Sequence, residues 1–397
     1  MNPATGRLGV AVVGTGFVGP FHVDAVRRGG FADVLAIVGS DPERTAAAAA
    51  ALGVARASAN LAEVLRDPAI DVVHVCTPNR THVEIATAAL EAGKHVVVEK
   101  PVALDLEAAR GLAALARRHV LHAAVAYTYR GYPMVRKARA LAAGGDLGEL
   151  RLVHGAYIQD WLADPADYNW RVEVEASGTS RAVADIGSHW FDTAEYVSGL
   201  RVEAVLADLA TFIPIRHRPT GTAVAFGTSS GPSEPVEIRS EDAATILVRF
   251  HGGARGTCIV SQVSPGRKNA FSLEVAGARW SLDWAQEDPE HLWVRDRAEA
   301  RLLTRGLGDA PPDAIRGVPT LPAGHPEGWA EALRDLLRPL YAAIVAGEAP
   351  PHQPPPARAG SWEPAPYPTL DDGARGIAFV EAVLESARSE RWTPIRS

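Results

Sequence analysis

The chain has 397 residues, 47% hydrophobic and 22% charged, a composition that excludes a disordered chain, a collagen and a small disulfide-rich protein. At about 150 residues per domain, this length predicts two domains, or three. The formal charge of −7 differs from the excess of basic residues that is typical of a nucleic-acid binder. No stretch reaches the roughly 18 uncharged apolar residues of a membrane span.

The first 125 residues alternate short apolar runs with stretches of strong helix formers. Unbroken apolar runs are typical of strands buried on both faces, and the alternation predicts a doubly wound parallel sheet, an α/β fold, for residues 1–125. The predicted strands are Leu8–Val13, Val34–Val38, Val72–Cys76 and His95–Val98, and the predicted helices between them are Thr45–Leu52, Leu61–Leu65 and His82–Ala92.

Residues 126–397 have a different pattern and predict an α+β domain built on a mostly antiparallel, open sheet. One helix is predicted at Thr179–Ser198, and residues 214–236, rich in Gly, Thr, Ser and Pro, predict a long loop. The proline-rich stretch 349–368 predicts an extended connector, and a closing helix is predicted at about 370–388. The predicted strands lie at about 202–213, 243–251, 255–263, 270–276 and 278–284.

A glycine motif lies directly after the first strand and opens a helix. Gly14, Gly16 and Gly19, with Phe17 and Val18 among them, fit the pattern G-x-G-x-x-G. Such glycines allow a tight turn and close approach of a pyrophosphate to the backbone, and the helix N-terminus supplies N–H donors. The motif predicts a site for NAD or NADP; the alternative is a glycine-rich turn that only packs.

The end of the second strand bears on the choice between the two nucleotides. NAD-binding folds usually place an acid about 20 residues beyond the glycine motif, where it holds the ribose 2′-hydroxyl, but Gly39 occupies this position. Ser40 could bond a 2′-phosphate and Arg44 could pair with it, which slightly favours NADP. The alternative is that Asp41 and Arg44 are only charges at the start of a helix.

Two tripeptides follow buried strands, Thr77-Pro78-Asn79 and Glu99-Lys100-Pro101. In open parallel sheets, ligands collect at the carboxyl ends of the strands, so both are expected at the ligand site. A lysine there can hold a substrate oxygen and stabilise negative charge that develops on it. The alternative for Lys100 is a solvated side chain at the start of a loop.

Asp185 and His189 are spaced four residues apart in the predicted helix 179–198, so they share one face. A histidine is the natural proton acceptor near neutral pH, and a neighbouring carboxylate can orient it. The pair could equally have a structural role, or supply two metal ligands.

The segment Tyr157–Arg171 mixes aromatic rings with planar hydrogen-bonding groups, a combination that suits the C–H faces and hydroxyls of a sugar or polyol. The alternative is a segment at a domain interface, with its tryptophans in the core. His325, in a loop before a helix, is another candidate, with a solvated loop histidine as the alternative. The candidate substrate contacts in the segment are Gln159, Asp160, Trp161, Trp170 and Arg171.

In order and spacing, the glycine motif, Thr77–Asn79, Glu99-Lys100-Pro101 and the Asp185/His189 pair resemble the Gfo/Idh/MocA family, the type of glucose–fructose oxidoreductase and inositol dehydrogenase. The resemblance covers nearly the whole chain. It implies an N-terminal Rossmann domain and a C-terminal α+β domain whose open sheet often forms an oligomer interface. It also implies reversible hydride transfer between NAD(P) and a carbon that bears a hydroxyl, in a sugar, glycoside or cyclitol.

The resemblance also implies roles for single residues. Lys100 would hold the reacting oxygen and contact substrate, His189 would donate or accept the proton, and Asp185 would be its partner. The Gln159–Trp161 and Ser180–His189 segments are similar to members that act on sugars and anhydrosugars. Gly39 departs from the pattern of NAD-specific members. The implied cofactor contacts beyond the glycine motif are Ser40, Arg44, Thr77, Pro78, Asn79, His82, Glu99 and Lys100.

Two other activities stay open. Some relatives with this fold use bound NAD transiently, as a lyase, epimerase or glycosidase that passes through a keto intermediate. Others bind the nucleotide and regulate without chemistry.

The remaining expectations concern partners and location. Only Cys76 and Cys258 occur, far apart, so neither a disulfide framework nor a cysteine-rich metal motif is expected. The N-terminus runs into the first strand without an apolar export region, and we expect a cytoplasmic protein. The expected partners are a small sugar or polyol and further copies of the chain, as a dimer or tetramer, with no metal, nucleic acid or membrane.

Overall fold

A computed structural model describes residues 5–220, 231–306, 321–351 and 362–396. By its contacts the chain forms two compact units. The first holds residues 5–131, 328–351 and 364–374 of the described part, and the second holds the rest. The prediction of a single boundary after residue 125 differs from this division, because helical residues such as Leu333, Leu340 and Tyr341 pack in the same core as Val10 and Val12.

The described residues form these strands in chain order: β1 Leu8–Val13, β2 Ala32–Val38, β3 Arg56–Ser58, β4 Val72–Val75, β5 His95–Val98, β6 Ala123–Val125, β7 Leu150–Ile158, β8 Val202–Ala210, β9 Ile215–Pro219, β10 Ser233–Glu237, β11 Ala243–Phe250, β12 Arg255–Ser261, β13 Ala270–Gly277, β14 Ser281–Ala285, β15 His291–Arg295, β16 Ala300–Thr304 and β17 Thr393–Pro394. The helices are α1 Gly19–Gly29, α2 Pro42–Ala51, α3 Leu61–Leu65, α4 His82–Glu91, α5 Leu106–His119, α6 Pro133–Ala143, α7 Val174–Ser177, α8 Ser188–Ser198, α9 Trp329–Ala346 and α10 Leu370–Ser389.

The first unit contains a parallel six-stranded sheet in the order β3-β2-β1-β4-β5-β6, which confirms the predicted Rossmann architecture. The central strands are buried on both faces, as their unbroken apolar runs require. Val13 pairs with Val38 and with Val75, and Val75 pairs with Val98. This register brings the carboxyl ends of β1, β2, β4 and β5 to one edge, where the glycine motif and both tripeptides begin.

The second unit is built on a nine-stranded sheet in the order β16-β15-β14-β13-β7-β12-β11-β8-β17. Its described pairs are antiparallel except β7 with β12, which run parallel with Ile158 opposite Ser261. The predicted α+β fold with a mostly antiparallel sheet is confirmed. Buried residues of α8, such as Trp190 and Phe191, lie on the helix that contacts β7 and β13.

Two predicted elements need correction. The loop predicted at 214–236 contains two antiparallel strands at its ends, β9 and β10, in which Ile215 pairs with Glu237 and Pro219 pairs with Ser233. Residues 221–230 lie outside the described part. The helix predicted from Thr179 begins at Val183, with a π-helical turn Val183–Gly187 before α8.

The late start of this helix has a physical cause. The Glu241 carboxylate accepts hydrogen bonds from the Ser180 hydroxyl and from the backbone N–H groups of Arg181 and Val183. A side chain therefore satisfies donors that would otherwise be left unpaired before a helix N-terminus.

The C-terminal predictions fare differently. Most of the predicted connector lies outside the described residues, at 352–361. The closing helix is confirmed as α10. Among the described residues, none of the helices combines the length and apolar character needed to cross a bilayer.

Candidate active site

The glycine loop after β1 has the shape that its sequence predicts. Gly14 has a φ of +120°, and a Cβ on it would lie 2.4 Å from the carbonyl oxygen of Cys76. A Cβ on Gly19 would lie 2.5 Å from the Gly14 carbonyl oxygen, whereas one on Gly16 would meet nothing within 4 Å. Gly14 and Gly19 thus close the turn, and Gly16 leaves its outer side open to a ligand.

The N-terminus of α1 continues this loop. Val18 is the N-cap residue, and no side chain caps the first turn. Phe17 is 53% exposed beside it. Uncapped N–H groups and the positive end of an 11-residue helix suit a negatively charged group. The loop formed by Gly14, Gly16, Phe17, Val18 and Gly19 therefore fits the pyrophosphate of a dinucleotide.

The end of β2 lies against the same loop, since the Gly14 N–H donates to the Val38 carbonyl at 2.8 Å. A Cβ on Gly39 would lie 2.4 Å from the Thr45 hydroxyl oxygen, so an acidic residue at 39 would displace Thr45. Ser40 and Arg44 are exposed. The Asp41 carboxylate accepts from the Arg44 backbone N–H at 2.9 Å, which caps α2.

His82 links the two tripeptides. It is 1% exposed, and its Nε2 lies 2.8 Å from the Thr77 carbonyl oxygen while its Nδ1 lies 2.8 Å from that of Pro101. Thr77 also accepts, through its hydroxyl, from the Thr81 hydroxyl at 2.8 Å. Thr77 is half-buried, and Asn79 opens the short 3-10 turn that follows the exposed Pro78.

Glu99 is also bonded within the protein. One carboxylate oxygen lies 3.0 Å from His22 Nε2, and the other accepts from the Lys100 backbone N–H at 3.2 Å. Glu99 and His82 therefore hold the backbone on the two sides of Lys100. The direct cofactor contact that the family resemblance implies for both stays a prediction. Lys100 itself is half-buried at the sheet edge.

In the second unit, Asp185 lies in the π-helical turn and is the centre of a polar cluster. Its carboxylate accepts from the Gln262 amide at 2.7 Å and lies 3.7 Å from Arg171 Nε. The Arg171 guanidinium stacks over the Trp170 ring, 4.5 Å from its centroid. The structure thus brings three predicted residues, Asp185, Arg171 and Trp170, into one cluster, which we call the Asp185 cluster and which includes Gln262.

A second network holds the predicted residues after β7. Asn269 accepts through its side-chain oxygen from the Tyr157 hydroxyl at 2.7 Å and from the Gln159 amide at 2.9 Å. The Gln159 carbonyl oxygen accepts in turn from Trp161 Nε1 at 2.9 Å. The Tyr157 ring centroid lies 6.3 Å from that of His189, which is 7% exposed. Gln159 and Trp161 are therefore fixed in orientation by this network.

Two other predicted substrate contacts have different surroundings. Asp160 accepts from Lys268 Nζ at 2.7 Å and from the Gly266 N–H at 3.0 Å, and the Lys268 ammonium holds the pKa of this carboxyl below its usual range. Asp160 therefore anchors the loop at 264–268. His325 is exposed, and its carbonyl accepts from the buried Arg305 guanidinium, so the structure fixes its backbone.

Sequence reasoning missed Gln262 and Asn269. Gln262 directly follows β12, and Gln159 directly follows β7, so both stand at the carboxyl ends of the parallel pair. The signal that could have found Gln262 is therefore the topology of the sheet, which no local pattern gives. Among the described residues, no group of three or more His, Cys, Asp or Glu side chains could hold a metal ion.

The family comparison agrees with this geometry. The family model "Oxidoreductase family, NAD-binding Rossmann fold" matches residues 8–127, and the Gfo/Idh/MocA C-terminal domain model matches residues 135–283. Levoglucosan dehydrogenase of Pseudarthrobacter phenanthrenivorans is 31% identical over 98% of this chain and 98% of its own length. The chain belongs to the Gfo/Idh/MocA family. Inositol 2-dehydrogenase of Corynebacterium glutamicum is 29% identical over 61% of this chain and 65% of that protein.

Solved structures of the family superpose closely. An oxidoreductase domain protein from Kribbella flavida has a TM-score of 0.85 and 31% identity, covering 99% of this chain and 100% of that one. Levoglucosan dehydrogenase in complex with NADH and levoglucosan has a TM-score of 0.83 and 28% identity, covering 98% and 100%.

Proposed function

We propose that this protein is a nicotinamide-dependent dehydrogenase that oxidises a secondary alcohol of a sugar, glycoside or cyclitol, or reduces the matching ketone. The membership of the family and the glycine loop support the redox chemistry. The Asp185 cluster is the observation that carries the substrate class, because it joins an aromatic face to planar hydrogen-bonding groups, of which Arg171 and Asp185 are partly exposed. Levoglucosan dehydrogenase and inositol 2-dehydrogenase among the relatives support the same class.

In this proposal each candidate residue has a distinct role. When bound, the nicotinamide ring accepts the hydride from the substrate carbon or returns it. His189 takes the hydroxyl proton in the oxidation and gives it back in the reduction. Lys100 donates to the reacting oxygen and offsets its negative charge. Asp185 orients the proton-transfer site, and Gln262 and Arg171 hold its carboxylate in turn.

The substrate hydroxyls would meet the remaining polar groups. Asn269 fixes the orientation of Gln159, and Gln159 fixes that of Trp161, while Trp170 offers a partly exposed ring to a sugar C–H face. Fixed donors discriminate well, because a ligand that lacks the matching hydroxyl leaves a buried partner unpaired. His325 could contact the substrate from its exposed loop, and its replacement by alanine should raise KM without changing kcat if it does.

We further propose that Ser40 and Arg44 bind the 2′-phosphate of NADP. The tight fit of Gly39 against Thr45 supports this, since an acid for the 2′-hydroxyl has no room there. Arg44→Ala should then weaken NADP binding by about 10-fold or more, the loss of a charge-assisted hydrogen bond, and leave NAD binding within twofold. Titration of both nucleotides with the variant tests this, and equal changes in the two dissociation constants would remove Arg44 from the site.

An absorbance screen at the reduced-nicotinamide band tests the proposed activity, with NAD and NADP run separately against monosaccharides, glycosides, inositols and anhydrosugars. We expect reduction of one nucleotide by at least one class. Substrate cleavage or epimerisation with no net reduced nucleotide would assign a transient redox role instead. Nucleotide binding without reduction by any compound would favour a regulatory protein.

The open face of the second unit's sheet supports a proposed homo-oligomer, dimer or tetramer. Leu152 on β7, Leu247 on β11 and Ile259 on β12 are 48%, 41% and 46% exposed. Buried residues lie on both sides of Leu247 and Ile259 along their strands. Sedimentation velocity should show more than one copy, and Ile259→Arg should shift the protein toward the monomer. We also propose a cytoplasmic location, where the free Cys76 and Cys258 thiols stay reduced.

A further inference from the structure

Four buried side chains form an unbroken hydrogen-bonded chain in the first unit that ends at Glu99. His22 Nε2 lies 3.0 Å from the Glu99 carboxylate, His22 Nδ1 lies 2.8 Å from His74 Nδ1, and His74 Nε2 lies 2.6 Å from the Tyr341 hydroxyl. The members come from α1, β4, α9 and the end of β5. Both histidines are 0% exposed and Tyr341 is 2% exposed.

The carboxylate fixes the direction of the first bond of this chain. An ionised carboxylate only accepts hydrogen bonds, so His22 donates to Glu99 through Nε2. Burial, with the neighbouring His22, lowers the pKa of His74 well below its ordinary value, so His74 is neutral and donates through only one of its two ring nitrogens. The bond to Glu99 is therefore the one whose direction the chemistry determines.

The hydrogen-bonded chain ends at Glu99, the residue before Lys100, whose amine the proposed reaction uses. The second Glu99 oxygen accepts from the Lys100 backbone N–H, and His82 lies within hydrogen-bonding distance of the Pro101 carbonyl on the other side. The backbone on both sides of Lys100 is thus held, by Glu99 before it and by His82 after it, while Lys100 itself is half-buried.

We propose that His22, backed by His74 and Tyr341, is a positioning residue that fixes Glu99 and thereby the backbone from which Lys100 extends. The inference rests on the role proposed above for Lys100. Misplacement of a catalytic group by about 1 Å can cost on the order of 100-fold in rate, so loss of the chain should lower kcat more than it changes nucleotide affinity.

The protein offers a matched control for this test. Tyr367 bonds His122 Nδ1 at 2.6 Å in the same unit, as Tyr341 bonds His74, and it is also 2% exposed. The His122 Nε2 atom faces the Glu348 carbonyl instead of another histidine. Tyr341→Phe and Tyr367→Phe should lower Tm by similar amounts. Only Tyr341→Phe should lower kcat, by about 3- to 10-fold, with the nucleotide dissociation constant within twofold of wild type. Equal kcat for the two variants would overturn the proposal.

Two substitutions at His22 separate its two bonds. A glutamine amide nitrogen reaches the place of Nε2 and can still donate to Glu99, whereas an asparagine amide reaches only the place of Nδ1. We expect His22→Asn to lower kcat by about 10- to 100-fold and His22→Gln to restore most of that loss. Equal kcat values for the two folded variants would show that the Glu99 bond does not position Lys100.

A readout without catalysis keeps this inference separate from the proposed function. Nitrogen NMR of ¹⁵N-histidine-labelled protein should show His22 protonated on Nε2 and His74 protonated on only one ring nitrogen, assigned with the His22→Gln and His74→Asn variants. An unprotonated His22 Nε2 would overturn the chain. If the tautomers are as expected but no alcohol reduces the nucleotide, the proposed function fails and the chain remains as a structural feature.

Discussion

The two units hold their candidate catalytic residues in different ways. In the first unit, the buried side chains of Glu99 and His82 hold the backbone on the two sides of Lys100. In the second unit, Asp185 is held by the charged Arg171 and the Gln262 amide, with the two ionic side chains 19% and 22% exposed. The difference indicates that the first unit fixes the backbone from which the Lys100 side chain extends, whereas the second presents several side chains that a ligand can reach.

The largest expected effect concerns the second unit. His189→Ala should lower turnover about 10²- to 10⁴-fold, because it removes the group that exchanges the substrate proton. The nucleotide dissociation constant should change little, since the nucleotide loop belongs to the first unit. Steady-state kinetics and nucleotide titration measure both, with the exposed His251→Ala as the control. Turnover equal to that of the parent would remove His189 from the mechanism.

The counterpart in the first unit is Lys100→Met, which keeps most of the length of the side chain and removes its charge. We expect turnover to fall about 10²- to 10³-fold, the cost of losing one donor to a developing oxyanion. If the variant turns over at the parent rate, Lys100 is a loop lysine and the comparison between the units loses its catalytic meaning.

Gln262→Leu should have a smaller effect, because it removes one hydrogen bond to the Asp185 carboxylate and leaves His189 itself unchanged. A bond to a charged group contributes about 1.5–3 kcal/mol, which corresponds to a loss of about 10- to 100-fold in kcat/KM. Gln286→Leu, which removes a longer bond to the neutral Tyr132 hydroxyl, serves as the control. The same kcat/KM in both variants would show that Gln262 has no part in the site.

The smallest expected effect is on stability and lies in the first unit. Burial, with the neighbouring His122, lowers the pKa of His95 to about 4. The unfolded chain protonates this histidine below pH about 6.5 while the folded protein does not, so stability is lost as the pH falls from about 6.5 toward 4.

His95→Asn removes this titration and keeps an oxygen to accept the His122 N–H, a bond that His95 Nδ1 makes at 3.0 Å. Between pH 7 and pH 5 the variant should lose about 1–2 kcal/mol less stability than wild type. Urea denaturation at both pH values measures this, and parallel losses in the two proteins would show that His95 already titrates normally.

The sequence predicts the first unit better than the second for a physical reason. Apolar runs of four to seven residues specify buried parallel strands, and Gly14 and Gly19 are required by contacts with the adjoining strand and loop. The candidate ligand-binding residues at the edge of this sheet directly follow their strands in sequence. The hydrogen bonds of His82 and Glu99 within the protein could not be predicted from a local pattern, because their partners Pro101 and His22 lie 19 and 77 residues away.

The second unit depends on pairings that local patterns do not contain. Gln262 contacts Asp185 across 77 residues of sequence, and Asn269 contacts Gln159 across 110. The strand β7 that positions Gln159 alternates buried and exposed residues only in part. Spacing from His189 predicts Asp185 as a candidate, and the residue types of the segment Tyr157–Arg171 predict Arg171, but no local pattern predicts the contact between them.

Transfer of deuterium tests the central claim most directly. A substrate that passes the absorbance screen is labelled with deuterium at the carbon to be oxidised, and the reduced nucleotide is analysed by mass spectrometry. The account predicts one deuterium in the nicotinamide per turnover, in water of normal isotopic composition. Reduced nucleotide without deuterium, or product formed with no reduced nucleotide, would contradict direct hydride transfer from a secondary alcohol.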